Sequence, residues 1–263
     1  MKFIHLSDPH IQKDDLHLFG LNPYERLNSA IKSVNKNFKK DGVEFLVITG
    51  DLSSQGETKS YRKLRKLIKK SKYEVLLLVG NHDNKKNFLK IFKEHPINDN
   101  FIQYTKVIEN NAFIMLDTTI ENSHAGDMCE KRYKWFENEL KNNIDKEVYI
   151  FMHHPPFDID IPILDKIGFK SQDKFAKLLK KYSNIKYIFF GHTHRNISGI
   201  YCNIPYLGMG STNHQLSLKQ HIKHQCTTNE EKPAYGIVTI KQEQILVHLH
   251  EFLDEDKYYM IED

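Results

Sequence analysis

Short apolar runs separated by amphipathic stretches fill the first three quarters of this chain. Phe3–Leu6, Phe45–Ile48, Val75–Val79, Phe113–Leu116, Val148–Met152 and Tyr187–Phe190 are brief and rich in Val, Ile and Phe. Runs of that length and composition predict buried strands. Between them, apolar residues recur at helical spacing: Leu27, Ile31, Val34 and Phe38; Leu64, Leu67 and Ile68; Tyr133, Phe136 and Leu140; Phe175, Leu178, Leu179 and Tyr182. These predict helices with one buried face. The alternation predicts an α/β architecture, with sheets covered by helices. From about residue 197 the pattern changes. The segments 203–208, 235–240 and 245–253 read as strands, Gln215–His224 as a short helix, and Gln225–Lys232 as a polar loop that could serve as a lid or a dimer contact. No repeat or low-complexity linker divides the chain, so one domain over residues 1–263 with a β-rich C-terminal section is expected.

A chain of 263 residues can bury one full core. No apolar run approaches the roughly 20 residues needed to span a membrane. The N-terminal Met1-Lys2-Phe3-Ile4-His5-Leu6 enters a strand at once and lacks the features of a signal peptide, which predicts a cytoplasmic protein. Cys129, Cys202 and Cys226 form no CxxC pair, so neither disulfides nor thiolate metal sites are suggested. The net charge of +4 is small, and the lysines of 63–70 lie largely opposite the apolar face of their helix. No stable nucleic-acid partner is expected on that basis; a homodimer is compatible with everything so far. The 15 histidines are the real anomaly, because several sit in tight motifs.

Five such motifs follow five of the predicted strands: Asp8-Pro9-His10, Gly50-Asp51, Gly80-Asn81-His82-Asp83, His153-His154-Pro155-Pro156 and Gly191-His192-Thr193-His194. The carboxyl ends of sheet strands are where α/β proteins place their sites. Glycine precedes the ligand-type residues in three of the five, which permits close backbone approach. Mixed Asp, Asn and His donors suit manganese, iron or zinc.

With those residues the chain resembles the calcineurin-like metallophosphoesterases, whose pattern of DxH, GD, GNH, a later His and GHxH is matched in order from Asp8 to His194. The resemblance implies a fold of two mixed β-sheets packed face to face and flanked by helices. It also implies two divalent metal ions. One would be held by Asp8, His10, Asp51 and His194, the second by Asp51, Asn81, His153 and His192, with Asp51 bridging. His154 is then a supporting residue. The reaction implied is hydrolysis of a phosphoester by a metal-bridging hydroxide, with His82 as general acid to the leaving oxygen. Asp83 would hold the His82 ring, cap the helix expected over Asn84–Glu94, or both.

Within that superfamily, the segment from Gly126 to Leu140, His153-His154-Pro155-Pro156, Gly210-Ser211-Thr212 with Gln215, and Pro233-Ala234-Tyr235 are similar to class III cyclic-nucleotide phosphodiesterases. The chain departs at Arg132-Tyr133, where relatives often carry Gln-Leu. The resemblance implies a small phosphodiester substrate, 3',5'-cyclic AMP first. A glycerophosphodiester is the near alternative, and a nuclease or protein phosphatase a more distant one. A non-enzymatic binding module would need missing ligands, and none is missing. Of the other polar residues, His5 reads as a packed core histidine, His124 as a loop contact to substrate, and Arg195 as either a phosphate contact or a surface ion pair. Asp117 ends a strand at a position the family does not use for metal.

Overall fold

The computed structural model describes residues 1–39, 42–218, 227–229 and 231–253. In chain order the elements are β1 (Lys2–Leu6), α1 (Pro23–Asn37), β2 (Phe45–Thr49), α2 (Thr58–Ile68), β3 (Glu74–Leu78), α3 (Lys85–Ile91), β4 (Tyr104–Ile108) and β5 (Asn111–Met115). There follow α4 (Glu130–Asn142), β6 (Glu147–Phe151), α5 (Pro162–Asp165), α6 (Gln172–Leu179), β7 (Ile185–Phe190), β8 (Ile197–Tyr201) and β9 (Ile204–Gly208). The last are β10 (Gln215–Leu216), β11 (Thr228–Asn229), β12 (Ala234–Lys241) and β13 (Gln244–Glu251).

The strands form two mixed sheets, β13-β12-β1-β2-β3 and β4-β5-β6-β7-β9-β8, plus the small β10-β11 pair. Strand periodicity explains why the central strands are apolar throughout. On β1 and β2, Ile4, Leu6, Leu46 and Ile48 pack against Leu27, Ile31, Leu64 and Phe88 from the helices outside the first sheet. Phe3, Phe45 and Val47 point the other way and meet Phe113, Tyr149, Phe151 and Phe189 of the second sheet. Ile114, Ile150 and Ile188 of that sheet pack outward against Phe136 and Phe175 of α4 and α6. The result is four layers with the two sheets face to face, as the family resemblance implied. The parallel order β1-β2-β3 and β5-β6-β7 brings the ends of β1, β2, β3, β6 and β7 to one rim.

Several expectations shift. Two strands, β4 and β8, lie where none was predicted, both at an edge of the second sheet. The helix expected over Gln215–His224 is not formed where it begins. Gln215 and Leu216 instead pair with Asn229 and Thr228, because the Leu216 amide donates to His194 O and Ser217 N to Thr227 O. Residues 219–224 lie outside the described residues. The expected polar loop over 225–232 thus contains β11; residues 225, 226 and 230 of it are likewise outside. The C-terminal strands are integral to the first sheet, since β12 pairs antiparallel with β1.

Candidate metal centre

All seven ligand-type residues converge at the rim. Asp8 and His10 follow β1, Asp51 follows β2, Asn81 follows β3, His153 follows β6, and His192 and His194 follow β7. All but Asn81 are buried. Ligand atoms of Asp8, His10, Asp51 and His194 lie within 4.8 Å of one another. His10 Nε2 is 3.0 Å from His194 Nε2 and 3.5 Å from Asp51 Oδ2, and His194 Nε2 is 3.5 Å from Asp8 Oδ1. The second group faces the other carboxylate oxygen of Asp51. His153 Nε2 lies 3.4 Å from Asp51 Oδ1 and 3.1 Å from Asn81 Oδ1, and His192 Nδ1 lies 3.0 Å from the same Asn81 oxygen.

The donor chemistry fits two cations. His194 Nδ1 faces the carbonyl of His214 at 3.0 Å and His153 Nδ1 that of Thr49 at 2.7 Å. Each ring therefore places its one neutral-state N–H on a carbonyl and turns a bare lone pair on Nε2 into the site. Among the described residues, Asp8 and Asp51 have no lysine or arginine partner, only histidines. Buried carboxylates facing lone pairs demand positive charge. Without metal, protons supply it. Burial opposes a charge on His153, but the Asp51 carboxylate outweighs burial and lifts the imidazole to about 9. Burial likewise opposes ionisation of Asp51, yet His153 and His10 hold its carboxyl well below the usual range. His10 and His192 are driven down by burial and by neighbouring histidines.

Backbone strain collects on the same residues. Asp8, His10, Asp51, His192 and His194 all have φ between 46° and 67°, a left-handed conformation costing non-glycine residues of order 1–3 kcal/mol each. Tight approach explains two of the motif glycines. A Cβ on Gly80 would overlap the Asp51 carboxylate, and one on Gly191 would come within 2.6 Å of Asp8 Oδ2.

Supporting residues lie all around. Ligand atoms of His153, His154 and His192 also lie within 4.8 Å of one another; both nitrogens of His154 are engaged, Nδ1 with Thr118 Oγ1 at 2.8 Å and Nε2 with His124 O at 3.2 Å, an arrangement that suits a supporting residue. The Asn81 amide nitrogen meets His124 Nδ1 at 3.0 Å, which fixes the amide oxygen toward the histidines. His124 thus touches the ligand-type residue Asn81 itself. Ser7 Oγ donates to Asp8 Oδ2, Thr49 Oγ1 donates to Ser7 Oγ at 2.7 Å, and His5 Nε2 lies 2.9 Å from Thr49 Oγ1. His5 is the buried core histidine expected, and burial lowers its imidazole to about 3.

The expectations for Asp83 are corrected, and the structure shows what Arg195 and Asp117 contact. Asp83 does not hold the His82 ring, whose Nδ1 meets Ser54 O at 3.0 Å. Nor does it cap α3, since the Asn84 side chain accepts from Asn87 N. Asp83 instead accepts from Gly80 N at 2.8 Å, Leu52 N and Ser53 N at 3.0 Å, and Tyr61 Oη at 2.9 Å. A carboxylate beside three inward-pointing amides is captured by them. Arg195 is occupied by Leu216 O and Glu231, at 2.6 and 3.0 Å, and is the ion pair rather than the phosphate contact. Asp117, set aside in the sequence, is fully buried and pairs with Lys85 at 2.9 Å. Nothing in the local sequence marks Thr118, Tyr61 or Lys85 for these roles.

A model of the calcineurin-like phosphoesterase family matches residues 1–196. A protein of Rhodopseudomonas palustris named a probable cyclic nucleotide phosphodiesterase is 30% identical, covering 100% of this chain and 97% of its own. One of Arcobacter nitrofigilis named a probable glycerophosphodiester phosphodiesterase is 29% identical over 83% of this chain and 81% of its own. Among solved structures, a dimetal phosphatase from Danio rerio shares the fold with a TM-score of 0.72 at 12% identity, covering 96% of each chain.

Proposed function

The chain belongs to the calcineurin-like phosphoesterase family and is a dinuclear metallophosphoesterase; we propose that it hydrolyses a small phosphodiester, 3',5'-cyclic AMP first, at the centre described. The observation that carries this reading is the division of Asp51, which turns Oδ2 to one lone-pair cluster and Oδ1 to the other. In this reading Asp8, His10, Asp51 and His194 hold one cation, and Asp51, Asn81, His153 and His192 hold the second. Manganese or iron suits these donors best, and zinc is compatible. When bound, the cations supply Lewis acidity, acidifying water and offsetting charge on the phosphoryl group.

The protein's own groups do the rest. Burial of the carboxylates and histidines keeps the field of the site from being screened. His82, half-buried beside Asn81, is tethered by its backbone amide to Asp51 Oδ1 at 2.9 Å and by Nδ1 to Ser54. Its Nε2 edge is left to protonate the leaving alkoxide. The nucleotide reading is favoured by the full-length likeness to the Rhodopseudomonas protein; a glycerophosphodiester is the alternative that the Arcobacter relative suggests. The β12–β1 pairing supports treating the chain as one domain. Among the described residues no helix is long and apolar enough to cross a membrane; the cytoplasmic location we propose is compatible with Cys129 and Cys202 being free thiols.

The test is turnover of bis(p-nitrophenyl) phosphate, 3',5'-cyclic AMP and a glycerophosphodiester by protein reconstituted with manganese, iron or zinc. Hydrolysis of the aryl diester, and of cyclic AMP above the glycerol ester, is expected. Asn81→Ala and His192→Ala should each abolish turnover and lose one bound metal. His82→Ala should slow alkyl esters far more than aryl esters. Silence with all three metals refutes the centre; equal losses on both ester types refute the role of His82.

A further inference from the structure

Beside the metal centre lies a cleft of about 640 Å³, and His82 and Asn81 form one of its walls. Gln55, Lys86, Asn100, Phe101, Asn122 and Arg132 also line it. We propose that this cleft is a nucleoside subsite, which binds the purine and ribose of the phosphodiester while the phosphate sits between the cations. The proposal deepens the phosphodiesterase reading and rests on it.

Size comes first. The volume falls within the range of about 300–1,000 Å³ typical of sites for drug-sized ligands. A glycerol leaving group would leave most of it to water. Charge comes second. The cleft contains three cations, but two are committed. Lys85 pairs with the fully buried Asp117 at 2.9 Å, and Arg132 donates to the carbonyls of Asp117 and Thr119 at 2.8 and 2.9 Å. The remaining Lys86 shares the cleft with the acidic Glu121. The space is therefore polar without excess positive charge. A second phosphate would meet Lys86 alone, with Glu121 in the same lining, whereas a neutral hydrogen-bonding moiety would find several carboxamides there.

The side chains then specify the moiety. Gln55, Asn100 and Asn122 are exposed carboxamides at the rim, and among the described residues their amide groups make no side-chain hydrogen bond. A carboxamide offers a donor and an acceptor side by side, the match for the N6 and N7 edge of adenine. The half-buried Phe101 ring carries the Arg132 guanidinium at 4.7 Å and Lys85 Nζ at 5.1 Å from its centroid, and gives the cleft one aromatic wall against which a base can pack.

The exposed amides allow a test that leaves the fold alone. Gln55, Asn100 and Asn122 are replaced together by Ala in the manganese-loaded enzyme. Hydrolysis of bis(p-nitrophenyl) phosphate should stay within twofold of wild type. The KM for cyclic AMP should rise about tenfold with kcat little changed, the signature of lost binding shared by ground and transition states. In parallel, 5'-AMP and inorganic phosphate are compared as inhibitors of aryl diester hydrolysis. The variant should lose about tenfold in inhibition by 5'-AMP and nothing by phosphate. If wild type ignores cyclic AMP, the substrate reading fails, yet the inhibition pair still decides the subsite. Equal inhibition of both proteins by 5'-AMP overturns the proposal, as does an equal loss for all ligands.

Discussion

Replacing Asp83 by Ala should loosen the metal centre without touching a ligand. The carboxylate accepts from Leu52 N and Ser53 N, just past Asp51, and from Gly80 N, just before Asn81. It also accepts from Tyr61 Oη, which in turn accepts from Asn84 N at 2.8 Å. One side chain thus joins the loop that carries Asp51 to the loop that carries Asn81. Leaving a buried donor unpaired costs about 1–3 kcal/mol. Asp83 is half-buried, so water recovers part of this, and about 1 kcal/mol for each of three amides is the apt figure. The sum of about 3 kcal/mol is a large share of a typical stability of about 5–15 kcal/mol. Burial and the charge of Asp51 push the Asp83 carboxyl up to about 7, so its ionisation works against the fold as pH rises from 3.8 to 7, and urea unfolding of chelator-treated protein belongs at pH 5, where the native carboxyl is protonated and this offset is smaller. Calorimetric titration with manganese gives the second readout and should show weaker binding. Tyr61→Phe, which removes only the phenol, should lose about 1 kcal/mol. A loss below 1 kcal/mol for Asp83→Ala, or full metal affinity despite a large loss, would mean that the strands alone place the two loops.

Three further outcomes follow from the same geometry. His5 has a native value near 3, far below its unfolded 6.5. The unfolded chain therefore gains the proton first, and stability present above pH 6.5 is lost on acidification by up to about 1.4 kcal/mol per pH unit; His5→Gln should flatten the acid limb of a stability–pH curve, and an unchanged slope would refute this. His124→Ala frees the Asn81 amide to rotate, so the second metal should bind about tenfold more weakly while the first is little affected; calorimetric titration resolves the two. Gly191→Ala should cost about 1–3 kcal/mol of stability, because its Cβ meets Asp8 Oδ2 and the carbonyl of Thr49 at 2.6 and 3.0 Å; thermal melts of the metal-free protein measure it.

The convergence of the ligand-type residues was legible because they come in motifs of two to four residues at the ends of strongly apolar strands. What supports them was not. Asp83 follows His82 directly, and adjacency suggested a pair, yet the turn points the two side chains apart. Thr118 and His124 reach His154 and Asn81 across 36 and 43 residues, and no local pattern encodes such contacts. The central strands declared themselves because both faces are buried. β4 and β8 did not: Tyr104-Thr105-Lys106-Val107-Ile108 and Ile197-Ser198-Gly199-Ile200-Tyr201 are largely uncovered edge strands, and pairing with β5 and β9, rather than propensity, makes them strands.

Strain and charge fall on the same few residues, and that coincidence predicts how the metal-free protein behaves. Five ligand-type residues are held in left-handed backbone, and the lone pairs around Asp51 are quenched by protons when no cation is present. His153 is raised to about 9, and His194 is raised as well because the Asp8 carboxylate outweighs its burial. A raised imidazole stabilises the fold fully below its unfolded value of 6.5, and that stabilisation is lost as pH climbs through about 9. The metal-free protein should thus weaken from pH 6.5 to 9. Cations replace those protons, so metal affinity should climb over the same interval, with release of about one proton per protein at pH 7.5. Titrating manganese in two buffers of different ionisation enthalpy measures that release directly. At a metal concentration of 100 times Kd, each site adds about 2.7 kcal/mol to stability, comparable to the strain of one or two left-handed ligands. Proton release of zero at pH 7.5, or a metal-free stability that is flat from pH 6.5 to 9, would show that the histidines are neutral before metal binds, and the charge argument for the centre would fall with it.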